Sequence, residues 1–131
     1  MSADSIVANG LKNVPKALAA GVVDMGTGML LAIKTTDSHP QAVLDLVAAG
    51  TKELFEGDMS LTIEQTFKKI RGDSSSEHYF NEILVNSKNL IHFFSRLASS
   101  PNCIVVFVCR GDASLGLVVS KAREIVNSEV I

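Results

Sequence analysis

The sequence lacks any run approaching the roughly 18 apolar residues that a membrane-spanning helix needs. Its start, Met1-Ser-Ala-Asp-Ser5, lacks the basic-then-apolar pattern of a signal peptide. A cytoplasmic protein with no direct membrane insertion is expected. It also lacks an excess of positive charge: 12 Lys and Arg against 14 Asp and Glu give a formal charge of -2. Phosphate backbones are held by clustered Lys and Arg, and Lys68-Lys-Ile-Arg71 is the one local cluster, so nucleic acid is not an expected partner. Cysteine is scarce as well. Cys103 and Cys109 lie six apart in one predicted strand, on the same face but about 20 Å from each other. A disulfide needs Cα atoms within about 7 Å, so two buried apolar thiols in a reducing compartment are expected.

Catalytic and ligand-binding signatures are missing too. Gly26-Thr-Gly28 lacks the third glycine and the following helix of a dinucleotide site, no phosphate-binding Gly-x-x-x-x-Gly-Lys-Ser/Thr occurs, and the segment reads as a hairpin turn. Gly111-Asp-Ala-Ser-Leu-Gly116 resembles a nucleophile elbow but would need glycine at Asp112, so Ser114 reads as a first-turn helix residue. His39, His78 and His92 sit on separate elements with no Cys or carboxylate at metal-ligand spacing. Asp24 and Asp37 are isolated carboxylates with turn and cap roles. Arg110-Gly-Asp112 spells an adhesion tripeptide but is explained by a strand-to-helix junction. No catalytic residue, cofactor or metal is expected, and no enzymatic activity.

What the chain does have is apolar residues. They make up 47% of its 131 positions, and the mean hydropathy of +0.27 is high for a 14.0 kDa chain. One domain over residues 1–131 can bury a core without disulfide or metal support, and part of the surplus is expected to be covered by a partner. The most strongly patterned stretch is Ile83 to Arg110, three apolar runs separated by Asn86-Ser-Lys-Asn89 and Ser99-Ser-Pro-Asn102. These turn clusters predict successive antiparallel strands: His78 to Val85, Leu90 to Leu97 and Cys103 to Cys109. The last is apolar on both faces and is expected at the centre of the sheet.

Upstream, Asp4 and Ser5 cap a first helix carrying Ile6, Val7, Leu11 and Val14, which Pro15 ends, although Asn9-Gly10 within it is a turn signal. Lys16 to Met25 and Met29 to Thr35 form a hairpin around Gly26-Thr-Gly28. In its first strand Gly21 marks a close approach. A second helix runs from about His39 to Glu56, with caps at Thr36-Asp-Ser38, Pro40 in its first turn and Gly57 at its end. Its interior Ala48-Ala49-Gly50-Thr51 is unusual, because glycine there costs up to about 1 kcal/mol relative to alanine. Close approach of a neighbour would compensate, whether from the same chain or from another. Asp58 to Gly72 carries Ile63, Phe67 and Ile70 at helical spacing, with Thr62 and Gln65 as a capping box, but a half-exposed edge strand is also compatible. Asp112 caps a last helix whose Leu115, Val118, Val119, Ala122, Ile125 and Val126 form a broad apolar face.

Leu18-Ala-Ala-Gly-Val-Val-Asp24, Gly28-Met-Leu-Leu-Ala32, Val85-Asn-Ser-Lys-Asn-Leu-Ile-His-Phe-Phe94 and Leu115-Gly-Leu-Val118 resemble the Roadblock family: dynein light chains of the Roadblock type and bacterial or archaeal regulators of small GTPases. The resemblance covers nearly the whole chain and rests on core and turn patterns. It implies an α+β fold, a five-stranded antiparallel sheet with helices on both faces, similar to the profilin-like and longin folds. It further implies a homodimer in which second helices pack antiparallel and third strands meet edge to edge. On this sequence that places Val43, Val47, Ala48, Gly50, Thr51 and Leu54, together with Tyr79, Asn81 and Ile83, near the dimer axis. A non-catalytic scaffold binding a Ras-like small GTPase, or serving a motor or signalling complex, is the expected function. The alternative is a profilin-like small-ligand sensor domain with an enclosed polar pocket, and an enzyme of unrecognised type stands third. Asp58 to Gly72 departs from the family as a longer connection, and as a cap on the sheet edge it would exclude the strand-to-strand dimer.

Overall fold

The computed structural model of the chain describes residues 2–37 and 41–131, with backbone alone for 41–43. The expected helix start at His39 and Pro40 and the Ser38 cap lie outside the described residues. Helix α1 (Ala3–Asn13) opens with a reciprocal cap: the Ser2 hydroxyl accepts from the Ser5 amide and the Ser5 hydroxyl from the Ser2 amide. Asp4 was expected to cap, but it sits in the first turn, where the helix dipole favours a carboxylate. Gly10 is no turn. A Cβ there would lie 2.8 Å from Phe107 Cδ1, so glycine is what lets α1 lie flat on the sheet.

β1 (Ala17–Asp24) and β2 (Met29–Thr35) form the expected hairpin. Asp24 organises its turn by accepting from the Thr27 hydroxyl at 2.8 Å and the Gly26 amide at 3.3 Å, and Gly28 supplies a φ of 74°. A Cβ on Gly21 would meet Ile33 Cδ1 at 3.0 Å, the close approach that this glycine predicts.

α2 (Gln41–Glu56) is followed after Gly57 by α3 (Asp58–Arg71), so the 58–72 segment is a helix. The expected Thr62–Gln65 capping box does not form. Thr62 is one turn inside the helix and its hydroxyl donates to the Asp58 carbonyl at 2.7 Å. Gly57 occupies the cap position, and Gly72, at φ 68°, closes the far end as expected of glycine.

β3 (Glu82–Asn86) starts later than His78, because His78 and Tyr79 bind α3 and the backbone is not yet extended alongside β4. β4 (Leu90–Leu97) has the expected bounds, and β5 (Ser100–Arg110) is longer than expected at both ends. α4 (Leu115–Ser128) is capped by Ser114, whose hydroxyl accepts from the Leu117 amide. Asp112, expected in that role, stands two residues early and pairs with Lys16 at 3.0 Å and Arg110 at 3.1 Å.

The strands form one antiparallel sheet in the order β2-β1-β5-β4-β3. β5 is central, as its two apolar faces require. α1 and α4 cover one face, burying Ile6, Val7, Val118, Ala122 and Ile125 against Phe93, Val105 and Phe107. α2 covers the other, burying Ala48 and Phe55 against Val23, Phe94, Ile104 and Val106. The sheet therefore carries helices on both faces, while β3 pairs with β4 alone and ends the sheet.

Candidate protein-interaction surface

At about 100° per residue, the small-residue run of α2 divides between two sides of the helix. Ala48, Thr51 and Phe55 turn inward and are each 1% exposed, with the Thr51 hydroxyl bonded to the Val47 carbonyl at 2.8 Å. Ala48 and Thr51, expected near a dimer axis, are thus occupied by their own sheet. Val47, Gly50 and Leu54 turn outward, and among the described residues nothing beyond the helix's own backbone lies within 4 Å of where a Gly50 Cβ would be. No described residue of the chain supplies the close neighbour that would compensate for this glycine. Leu46, 74% exposed, widens the stripe, and the Val43 side chain lies outside the described residues.

The β3 edge is the second component. The Arg96 amide donates to the Asn81 carbonyl at 2.9 Å and the Ser87 amide to the Leu90 carbonyl at 2.9 Å. Alternation along an antiparallel ladder therefore turns the backbone groups of Ile83 and Val85 toward β4 and those of Glu82, Leu84 and Asn86 outward. Ile83 packs under α2 beside Phe80. Asn81 is exposed just before the strand. Tyr79 also precedes the strand, stacked on Phe67 of α3 with ring centroids 5.3 Å apart and with the Arg71 guanidinium 5.4 Å from its centre.

The main packing neighbour of α3 is α2, and among the described residues no strand pairs with the outer side of β3. α3 is further fixed by a polar cluster. Glu64, 4% exposed, accepts from the Tyr79 amide at 2.8 Å and lies 3.0 Å from His78 Nδ1 and 3.7 Å from Lys68 Nζ. Burial alone would raise its pKa, but the His78 hydrogen bond, the Tyr79 amide and the charges of His78 and Lys68 outweigh it and hold the carboxyl below its ordinary 4.5. Across the cluster Glu56 Oε2 lies 3.8 Å from His78 Nε2 and accepts from Arg96 Nη1 at 3.2 Å. Arg96, 5% exposed, also donates to the carbonyls of Phe80 at 2.7 Å and Pro101 at 2.9 Å. The cluster joins α2, α3, the segment before β3 and the β4–β5 turn. Sequence reading missed it, because a histidine, two carboxylates and an arginine from four places in the chain meet only in the fold.

α3 in consequence leaves much of its apolar stripe uncovered. Its buried side carries Glu64, while Met59 and Ile70 are 72% and 75% exposed, with Phe67 nearly half exposed on the same side. Phe67 and Ile70 were legible, with Ile63, as a helical stripe, but not as an outward one.

Other features carry less. A hollow of about 330 Å³ under α2 is lined mainly by apolar residues, among them Leu30, Ile33, Leu44, Val106 and Val108, with Thr35, Thr36 and Asp37 as its polar members. It is not the polar pocket a metabolite sensor would need. The Cys109 thiol is buried and pushed up to about 11, and burial raises the Cys103 thiol as well. Among the described residues no three metal-ligating side chains gather and no helix is long and apolar enough to cross a membrane.

The sequence matches no protein-family model and no curated protein. The fold does have solved counterparts. A structure described as MglB with tetrameric arrangement superposes with a TM-score of 0.68 at 18% identity, over 95% of this chain and 82% of that one. The gliding protein MglB from Thermus thermophilus gives 0.67 at 18% identity, over 94% and 82%. A Roadblock/LC7 domain from Streptomyces avermitilis gives 0.67 at 15% identity, over 98% and 94%. These likenesses establish the Roadblock/LC7 fold, the one expected from the sequence.

Proposed function

We propose that this chain, built on the Roadblock/LC7 fold, is a non-catalytic homodimeric scaffold that regulates a partner protein, with a Ras-like small GTPase as the partner class. The observation that carries the reading is Gly50. It lies in a helix interior at a cost of up to about 1 kcal/mol, faces outward between Leu46 and Leu54 and beside Val47, and meets no described residue beyond its own helix. A second α2 crossing antiparallel at that point would bury the stripe at close range. The unpaired β3 edge supplies the other half of the contact, joining two sheets into one, and such a self-complementary patch suits a two-fold axis. In this arrangement Val47, Gly50 and Leu54, with Val43 at the start of the helix, form the helical contact. Asn81 and Ile83 flank the strand contact, and Tyr79 lies at its rim. Catalysis would require converging polar groups in a cleft, whereas the polar cluster at His78 and Arg96 is engaged in bracing α3. A GTPase would be bound by the composite surface of two chains and influenced through contact alone.

Light scattering of the purified chain is the test. Wild type should have the mass of two 14.0 kDa chains, about 28 kDa. Gly50→Glu should shift it toward 14.0 kDa, because a charge would be forced into a close helix contact. A stable monomeric wild type refutes the reading.

A further inference from the structure

We infer that His78 is a proton-operated clasp for α3: the doubly protonated ring ties α3 to the rest of the chain, and loss of one ring proton loosens that helix. The inference concerns contacts within one chain and does not depend on the dimer proposed above.

The geometry around the ring carries it. Nδ1 lies 3.0 Å from Oε1 and 3.3 Å from Oε2 of Glu64, on α3. Nε2 lies 3.8 Å from Oε2 of Glu56, the last residue of α2. Each ring nitrogen therefore faces a carboxylate, and the two carboxylates belong to different helices. A neutral imidazole has one N–H and one lone pair, so it can serve only one of them. With its N–H directed at Glu64, the neutral ring turns the Nε2 lone pair toward the Glu56 oxygen. A proton on Nε2 replaces that repulsion with an ion pair. The positive ring also strengthens the Nδ1 bond to Glu64, since charge-assisted hydrogen bonds are about twice as strong as neutral ones.

The other charges facing the ring agree in sign. Lys68 of α3 lies 3.7 Å from Glu64, and Arg96 of β4 donates to Glu56 at 3.2 Å. Glu77, the preceding residue, lines the same hollow as His78 and Arg96. Glu56, Glu64 and Glu77 against Lys68 and Arg96 leave one negative charge in excess, which a charged imidazole cancels. The His78 side chain is 32% exposed while those of Glu64 and Glu56 are 5% and 15% exposed, so the ring exchanges protons with solvent and the carboxylates it holds are shielded.

Histidine changes charge between about pH 5 and pH 8, which sets the direction of the response. The contribution of a charged His78 is present at low pH and is lost as pH rises, whereas that of Glu64 is lost as pH falls through its lowered folded value. α3 is therefore held most firmly in the window between the two titrations. Its apolar side is largely uncovered and its main packing neighbour is α2, so this clasp is a large share of what fixes it. The segment that carries His78 continues through Tyr79 toward the edge strand β3, and a loosened clasp reaches that edge as well.

Hydrogen exchange of the α3 amides against pH tests the clasp, corrected for intrinsic exchange and referred to the amides of β5. In the wild type, protection of α3 relative to β5 should fall about tenfold between about pH 5.5 and about pH 8. Its midpoint should coincide with the titration of the His78 ring followed by nitrogen NMR, and both ring nitrogens should carry protons at the lower pH. His78→Gln, whose amide stays neutral, should show no such fall and should already have the weaker protection at the lower pH, whereas a merely structural role would lower protection and leave the pH profile in place. His92→Gln should keep the wild-type profile, because that ring meets only the Val85 carbonyl, at 3.3 Å. Wild-type protection that is flat across this range, a midpoint that departs from that of the His78 ring, or an equal fall in His78→Gln overturns the inference. The first two of these are read on the wild type alone, so they decide the matter even where His78→Gln does not fold.

Discussion

Replacing Gly10 by alanine should lower stability, although the same change in an exposed helix raises it. In a helix interior alanine is favoured over glycine by about 0.5–1 kcal/mol. Here the added methyl would lie 2.8 Å from Cδ1 and 3.1 Å from Cζ of Phe107, and closer still to Cε1. That ring is fully buried and stacked on Phe93 with centroids 6.5 Å apart, so it has no free side to move toward. Overpacking of this kind costs about 1–3 kcal/mol, which outweighs the propensity gain and leaves a net loss of about 0.5–2 kcal/mol. For a domain of this size that is a fall in Tm of roughly 2–8 °C. Gly116→Ala in α4 is the control, since among the described residues nothing beyond the helix's own backbone lies within 4 Å of its Cβ position and Tm should rise slightly. Thermal unfolding followed by circular dichroism at one chain concentration reads both. A Gly10→Ala variant that melts at or above wild type would refute the packing of α1 on β5 described here.

The polar cluster yields three further expectations. Glu64→Ala leaves the Tyr79 amide without its acceptor in a buried site, which should cost about 1–3 kcal/mol in a denaturant titration and speed hydrogen exchange at Tyr79. Because the folded Glu64 pKa lies below 4.5, its stabilisation is complete above that value and is lost as pH falls through the folded value. Wild type should therefore lose Tm between about pH 5 and pH 3 more steeply than Glu64→Gln does. Arg96→Ala strands Glu56 and the Phe80 and Pro101 carbonyls, and urea unfolding should show a loss of about 3 kcal/mol. At the other face of the sheet, the raised Cys109 and Cys103 thiols should resist alkylation at mildly alkaline pH until denaturant exposes them, and rapid labelling of the native chain would contradict their burial.

The parts of this fold that were legible in the sequence are those in which one segment's pattern decides its own conformation. β4 reads correctly from Leu90 to Leu97, because Ile91, Phe93 and Leu97 share one face and turn residues bound it at both ends. The glycines at 26 and 28 mark the hairpin because that turn needs a positive φ at Gly28. The parts that were not legible depend on what a segment meets. Ala48 and Gly50 are near neighbours in a run of small residues, yet the helical turn sends one into the sheet and the other to the surface. His78 and Tyr79 have the look of a strand start, but Glu64, fourteen residues before His78, captures them for α3. For α3 the period of its apolar residues predicts a stripe and is silent on which side the stripe faces. That orientation is set by a buried carboxylate on the flank of the helix beside the stripe.

The proposed assembly joins two elements far apart in the chain, and hydrogen exchange on β3 tests the junction most directly. In the isolated chain the outward amides of Leu84 and Asn86 have no strand to bond to and should exchange rapidly. In the wild-type protein at concentrations where it dimerises they should be protected, and Gly50→Glu, on a different element, should abolish that protection while leaving the amides of β5 slow. Outward β3 amides that exchange equally fast in wild type and in Gly50→Glu would contradict the account.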